Sequence, residues 1–557
     1  MGHYLFIFLI TLLTTNLYAE ITKDDFRNIL AHNILKNYPD ADLFRLILSV
    51  PDTLTYPIEA DNEMDYIKTF ENRHNAFRVS DLYNLSKDVP FKKVNDEVLK
   101  SSLRNKKTIY FFIPGIVGEL ITGNAVLTEI LNKETSFKKS YKQYLKNYKK
   151  LHGKKLTDPV FEMSSNKIEE KEIEELMYAG SIDDENNDPL VKLVYFFPKF
   201  LSMETFEATQ IRANKLIRRI EKMMDLIEQN ENTNYDFVVI GYSQGGTVAL
   251  EVASQLKESN SKLLSKLKAV VSYAGVIWGS DLADLMLKDD NSDEELILMN
   301  RQVRAFKKMI NKLHTQANFF NYLPRMLENK MHILEFLHDY LSETEESIKS
   351  TNAKASFMHL MKTVMRIALV EFKVLDIGIF HYENTKKLKK FGEAVLVGLE
   401  ELTTKYMENW HRTHVLPHKG VHYYSITGVS GDLKLDQEFL KDSHAGMDIN
   451  SFDFQMLHNQ FHTIYNNTGV ALNDCQVSMQ RTRFWPKLAS IQNPNQELYS
   501  ETFLGALGTH HWGITFDFFN VSTPKTINQF KRPELILSLA EVIALDLDKI
   551  KSTKLYE

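Results

Sequence analysis

Cysteine is almost absent from this chain. Cys475 is the one cysteine in 557 residues, which excludes any intrachain disulfide. A surplus of either charge is also missing: 67 basic against 73 acidic residues give a formal charge of −6, so no global attraction to nucleic acid is expected. There is no internal repeat and no low-complexity tract, which argues against a repeat array. What remains is ordinary for a globular protein, with 43% hydrophobic and 25% charged residues. The length allows either one fold with insertions or two to three domains.

Residues 1–19 hold the apolar run Leu5-Phe6-Ile7-Phe8-Leu9-Ile10-Thr11-Leu12-Leu13 and end at Leu17-Tyr18-Ala19. The run is short for a bilayer span and suits the core of a signal peptide ending at a small residue. No Lys or Arg precedes it; only the α-amino group and His3 do. The expectation is an exported protein, secreted, periplasmic or attached to the cell envelope, with a retained membrane anchor as the alternative.

The stretch Phe237-Val238-Val239-Ile240-Gly241-Tyr242-Ser243-Gln244-Gly245-Gly246 organises the rest. Its apolar half reads as a buried strand, and Thr247 to Leu256 reads as a helix. Between them a Gly-x-Ser-x-Gly turn would place Ser243 on a sharp bend, lifting its hydroxyl above the sheet at a helix N-terminus. The pentapeptide alone is a weak signal; the strand before it and the helix after it are the context that gives it meaning.

Residues 20–105 read as a helical N-terminal extension. A first part of an α/β core is expected over 106–288. It starts with the unbroken apolar run Thr108-Ile109-Tyr110-Phe111-Phe112-Ile113, typical of a strand buried on both faces, which ends in Pro114-Gly115-Ile116-Val117-Gly118. In hydrolases that carry a Gly-x-Ser-x-Gly turn, a strand entering a glycine-containing loop is where the first oxyanion-hole amide lies. A charged insertion, 121–190, carries eight lysines between 138 and 155 and then acids such as Glu169, Glu170, Glu172, Glu174 and Glu175. It reads as a solvated insertion rather than a docking surface.

Leu193 to Phe197 is a further strand, followed by a helix with Ile211, Ala213, Leu216, Ile217, Ile220, Met224 and Ile227 along one face. Ala269 to Ala274 is another strand. Strand, helix, strand, turn, helix is the grammar of a parallel sheet. Residues 289–418 lose strand character and gain Met- and Phe-rich helical stretches, reading as a helical cap whose apolar faces pack on each other and on the sheet, with contact to lipid as the alternative. The second part of the core, 419–557, resumes at Gly420 to Gly428 and closes with a helix from Pro533.

A serine hydroxyl is a weak nucleophile until an imidazole takes its proton, and that imidazole needs a carboxylate to fix its tautomer. In α/β-hydrolases the chain order is serine, acid, histidine. Two acids qualify, Asp432 in Gly431-Asp432 and Asp474 in Asn473-Asp474-Cys475, and the pair His510-His511 offers two histidines before the closing helix. His411, His414, His418 and His422 lie close in sequence but lack an acid or cysteine to complete a ligand set. They read as a loop with histidines, and neither metal nor cofactor is called for.

These residues resemble the secreted bacterial triacylglycerol lipases of the α/β-hydrolase fold. Gly241-Tyr242-Ser243-Gln244-Gly245 is similar to their elbow, Val421-His422-Tyr423-Tyr424-Ser425 to their late strand, Asn473-Asp474 to the step carrying their acid, and His511-Trp512 to that of their histidine. The chain departs from them at Pro114, Tyr242 and Cys475. The resemblance implies a mostly parallel sheet flanked by helices, a triad of Ser243, Asp474 and His511, and oxyanion N–H groups from Ile116 and Gln244, with Asp432 and His510 as second choices. It also implies an acyl-ester substrate, most readily a lipid. A phospholipase, thioesterase or acyltransferase could use the same residues, and a noncatalytic binding protein on a hydrolase scaffold is the reading from another class.

Overall fold

The computed structural model describes residues 21–55, 58, 60, 62–115, 177–196, 208–287, 397–432, 436, 452–511, 513–515, 532–549 and 552–556. The expected signal peptide, Ile116, most of the charged insertion and most of the helical cap lie outside the described residues.

Strands as apolar as those above need cover on both faces, and the sheet provides it. β2 (Thr108–Ile113), β4 (Pro189–Phe196), β5 (Asp236–Tyr242), β6 (Leu267–Tyr273), β7 (His422–Gly428) and β8 (Ser500–Leu507) run parallel. β1 (Ile47–Leu48) and β3 (Met177–Asp183) add antiparallel edges, giving the order β1-β8-β7-β6-β5-β2-β4-β3 among the described residues. The longer helices are α1 (Lys23–Asn37), α2 (Glu63–Asn75), α3 (Val79–Asp88), α4 (Asp96–Asn105), α5 (Thr209–Glu231), α6 (Gln244–Glu258), α7 (Thr404–Thr413), α8 (Phe452–Thr468) and α9 (Arg532–Leu547). This is the α/β-hydrolase fold.

Alternation along β2 shows how one apolar run serves two cores. Tyr110 and Phe112 join Val238, Ile240 and Val271 against Phe26 and Ile29 of α1 and Leu539 and Ile543 of α9. Ile109, Phe111 and Ile113 join Phe237, Val239 and Val270 against Leu216 and Ile220 of α5 and Val248 and Val252 of α6. Burying side chains of this size contributes about 1.5–3 kcal/mol each.

Four details differ from the sequence reading. The extension over 20–105 is helical but also donates β1, where Ile47 and Leu48 pair with Leu507 and Ala506. β3 emerges from within the charged insertion as the partner of β4. β8 is absent from the sequence reading because Glu501 and Thr502 are polar and Gly505 breaks the run. Gly505 has φ +134 at a register shift opposite Ser425 and Ile426, a bulge that favours glycine. Finally, Ile211 is not on the buried face of α5: it is 49% exposed, and Arg212 is buried in its place.

The four clustered histidines are spread over a helix, the loop after it and the start of a strand. His411 lies on α7, stacked on Trp278 with ring centroids 3.7 Å apart and Nε2 3.0 Å from the Ile277 carbonyl oxygen. Burial pushes its pKa down to about 4. His414 stacks on Trp410, His418 lies 2.9 Å from Glu497, and His422 opens β7 beside Thr502. Among the described residues no helix is long and apolar enough to cross a membrane.

Between α1 and α9 the buried Glu541 carboxyl accepts a hydrogen bond from Asn33 Nδ2 at 2.6 Å. Burial is the main reason its pKa is raised from 4.5 to about 8. A carboxyl raised in the folded state opposes folding once pH exceeds its unfolded pKa, and the penalty is complete above the folded pKa. Glu541→Gln is therefore expected to melt near wild type at pH 4 and increasingly above it from pH 5 to 9. Melting curves across that range check this, and a gap that does not grow with pH would contradict it.

Candidate active site

The elbow forms where β5 passes into α6. Ser243 has φ 54 and ψ −126, a region that non-glycine residues avoid at a cost of about 1–3 kcal/mol. Two backbone bonds hold it there: the N–H groups of Gly246 and Val276 both donate to the Ser243 carbonyl oxygen at 2.9 Å. The bend also presses α6 onto the end of β2. A Cβ on Gly245 would lie 2.1 Å from the Ile113 carbonyl oxygen, so that position admits no side chain. Gln244, the first residue of α6, is fully buried.

Asp474 lies in the long connection between β7 and β8. Its Oδ1 accepts from the N–H groups of Gln476 at 3.0 Å and Val477 at 2.8 Å, which closes a tight turn on its own side chain. Its Oδ2 is left for His511, 2.7 Å from Nδ1, and the His511 N–H donates to the Asp474 carbonyl oxygen at the same distance. Both side chains are buried. A carboxylate on Nδ1 selects the tautomer that leaves Nε2 as the basic nitrogen. His511 Nε2 is buried and has no hydrogen-bond partner among the described residues.

Tyr242, which precedes the serine, fixes this histidine from the other side. Its hydroxyl donates to the His511 carbonyl oxygen at 3.0 Å and its ring stacks on the imidazole at 5.2 Å between centroids. Burial pushes the phenol well above its usual range, so it remains a donor. The sequence offered only a mismatch with the lipase elbow at this position.

The structure thus brings Asp474 and His511 together beside the residue before Ser243, while no hydrogen bond joins Ser243 to His511. Asp432 goes elsewhere: it is buried, and its Oδ2 lies 2.8 Å from Nε2 of His462 on α8. His510 accepts from the Gly513 N–H at 2.9 Å through Nδ1. Ile116 lies outside the described residues. The buried arginine Arg212 is a site neighbour that the sequence reading passed over. It donates to the Gln244 side-chain oxygen at 2.5 Å and to the Pro114 carbonyl oxygen at 3.3 Å. A cation in line with the apolar stripe of α5 was the available signal.

Residues 132–291 match a family model described as serine hydrolase (FSH1). That segment contains Ser243 and stops short of Asp474 and His511. A search of curated proteins finds no match. Among solved structures, a metagenomic carboxyl esterase is similar at 13% identity with a TM-score of 0.36, covering 93% of this chain and 90% of that one. The family match supports a serine hydrolase.

In a serine hydrolase of this fold the acid lies after the strand that follows β6, a stretch that here contains both Asp432 and Asp474. The two are separated by replacement with asparagine, which keeps shape but selects the wrong tautomer of a paired histidine. Asp474→Asn is expected to lower kcat by about 10³–10⁴, and Asp432→Asn by less than about tenfold. Initial rates on a nitrophenyl ester check this, and the reverse ranking would move the acid to Asp432.

Proposed function

We propose that this protein cleaves carboxylic esters, most readily the acyl esters of lipids, through a triad of Ser243, His511 and Asp474. The single observation that supports this best is the buried Asp474–His511 pair, 2.7 Å apart, set beside a strained serine elbow. Ser243 Oγ attacks the ester carbonyl while His511 Nε2 takes its proton, and Asp474 stabilises the imidazolium. The oxyanion is held by the N–H of Gln244 at the start of α6 and by that of Ile116, each such donor being worth about 10²–10³ in rate. His511 then protonates the leaving alcohol, and water, activated by the same nitrogen, releases the acid from the acyl-enzyme.

The lipid preference rests on the resemblance to triacylglycerol lipases and on the Met- and Phe-rich segment within 289–418, which would contact the substrate or a lipid surface. Export through residues 1–19 fits such a substrate. Wild-type protein is expected to react with a fluorophosphonate and turn over short-chain nitrophenyl esters. Ser243→Ala should do neither while keeping its circular dichroism spectrum. Labelling that persists in Ser243→Ala would overturn the assignment, and a folded wild type that never labels would favour a noncatalytic binding protein.

A further inference from the structure

The start of α5 is built unusually. The residue before it, Ala208, has no side chain able to cap the helix. The missing acceptor comes from a distant segment: Glu401 Oε2 accepts the Thr209 N–H at 2.8 Å and the Thr209 hydroxyl at 2.7 Å. Glu401 is 6% exposed, and its segment is anchored on the loop after β6, where the Ser280 N–H donates to the Leu402 carbonyl oxygen at 2.7 Å. A carboxylate at this end of a helix also meets the favourable end of the helix dipole.

One turn on, Arg212 uses its guanidinium on two chain segments at once. One nitrogen holds the side chain of Gln244, whose backbone N–H is the proposed elbow donor. The other holds the carbonyl oxygen of Pro114, at the entry to the proposed oxyanion loop. In a trans peptide the carbonyl and the following N–H point opposite ways, so turning the Pro114 oxygen onto Arg212 turns the Gly115 N–H away from it. Gly115 itself abuts the nucleophile, since a Cβ there would lie 2.6 Å from Ser243 Cβ. A carbonyl free to swing towards the serine would oppose the developing negative charge.

We infer that Arg212, set in place by Glu401, is a positioning residue that holds the Pro114–Gly115 step in register with Gln244, the two chain segments that flank the proposed oxyanion hole. A fork-shaped cation suits this because it bonds two acceptors in a fixed geometry, which a lysine cannot do. Burial raises the Glu401 pKa; the Thr209 and Tyr406 hydrogen bonds oppose it, and the charge of Arg212 adds to them. The chain around 397–402 is thereby joined to the reaction centre through two side chains and one helical turn.

The inference rests on Ser243 being the nucleophile, and its test separates the two. Wild type, Arg212→Lys, Arg212→Met and Glu401→Gln are compared by fluorophosphonate labelling, kcat and KM on a nitrophenyl ester, and inhibition by an alkyl boronic acid, which forms a tetrahedral adduct. Arg212→Met should lose about 10- to 100-fold in kcat and in boronate affinity with KM little changed, because the hole is used after substrate binds. Arg212→Lys should fall between, and it carries the test alone if Arg212→Met does not fold. Glu401→Gln should lose less, and combining it with Arg212→Lys should cost less than the product of the two single losses. Unchanged kcat and boronate affinity in both Arg212 variants, with wild type labelled, would overturn the inference while leaving Ser243 in place. Independent effects of Glu401 and Arg212 would remove Glu401 from it, and a wild type that does not label would overturn both readings.

Discussion

The local geometry of this site depends on one backbone constraint: Ser243 must stay in a conformation that it would not adopt alone. Nothing in the serine side chain holds it there. The restraint comes from its carbonyl oxygen, shared between the N–H groups of Gly246 and Val276, and from the closeness of α6 to the end of β2 at Gly245. Three parallel strands therefore meet at the elbow: β5 leads into it, β6 supplies Val276 just beyond its end, and β2 supplies the surface against which the turn closes. Strain of this kind persists only where the surroundings over-determine it, and here the surroundings are the most buried strands of the sheet.

The proposed partners of Ser243 arrive at the same edge for a topological reason. In a parallel sheet all carboxyl ends lie on one side, so loops distant in sequence converge there. Asp474 comes from the connection after β7, His511 follows β8, and the Pro114–Gly115 step follows β2. Each is then aimed by short-range bonds. The Asp474 turn spends one carboxylate oxygen on Gln476 and Val477 and turns the other to His511, and Tyr242 orients the histidine from below. On the opposite flank, Arg212 and Glu401 tie α5 and the segment near 400 to the elbow.

The strands that could be read in advance were those whose composition follows from burial on both faces. β2, β5, β6 and β7 are apolar runs because helices cover them on either side, and the Ser243 turn was legible because glycines flank a serine between a strand and a helix. β8 and β3 escaped because their stability comes from a neighbour. β8 carries Glu501, Thr502 and a bulge at Gly505 yet pairs along β7, and β3 is a short edge strand, its apolar run broken by Gly180, that pairs antiparallel with β4. β1, two residues long, exists only because β8 lies beside it. Arg212 was obscured in a similar way: it is buried and its neighbour Ile211 exposed because the oxygens of Gln244 and Pro114 accept its hydrogen bonds.

By itself the sequence determined the class of the sheet and the strand–turn–helix around Ser243, since these follow from local pattern; the order of serine, acid and histidine that it offers belongs to the proposed triad. Position alone left Asp432 beside Asp474 and His510 beside His511 as alternatives, and only the resemblance to the lipases ranked Asp474 and His511 first. Tertiary structure made the pairing, setting Asp474 against His511 and Asp432 against His462. Both acids lie in one long connection between β7 and β8, and nothing local to either says which histidine its carboxylate will face. That direction is set by the turn at Val477, the stacking of Tyr242 and the packing of α8, contacts between residues far apart in the chain.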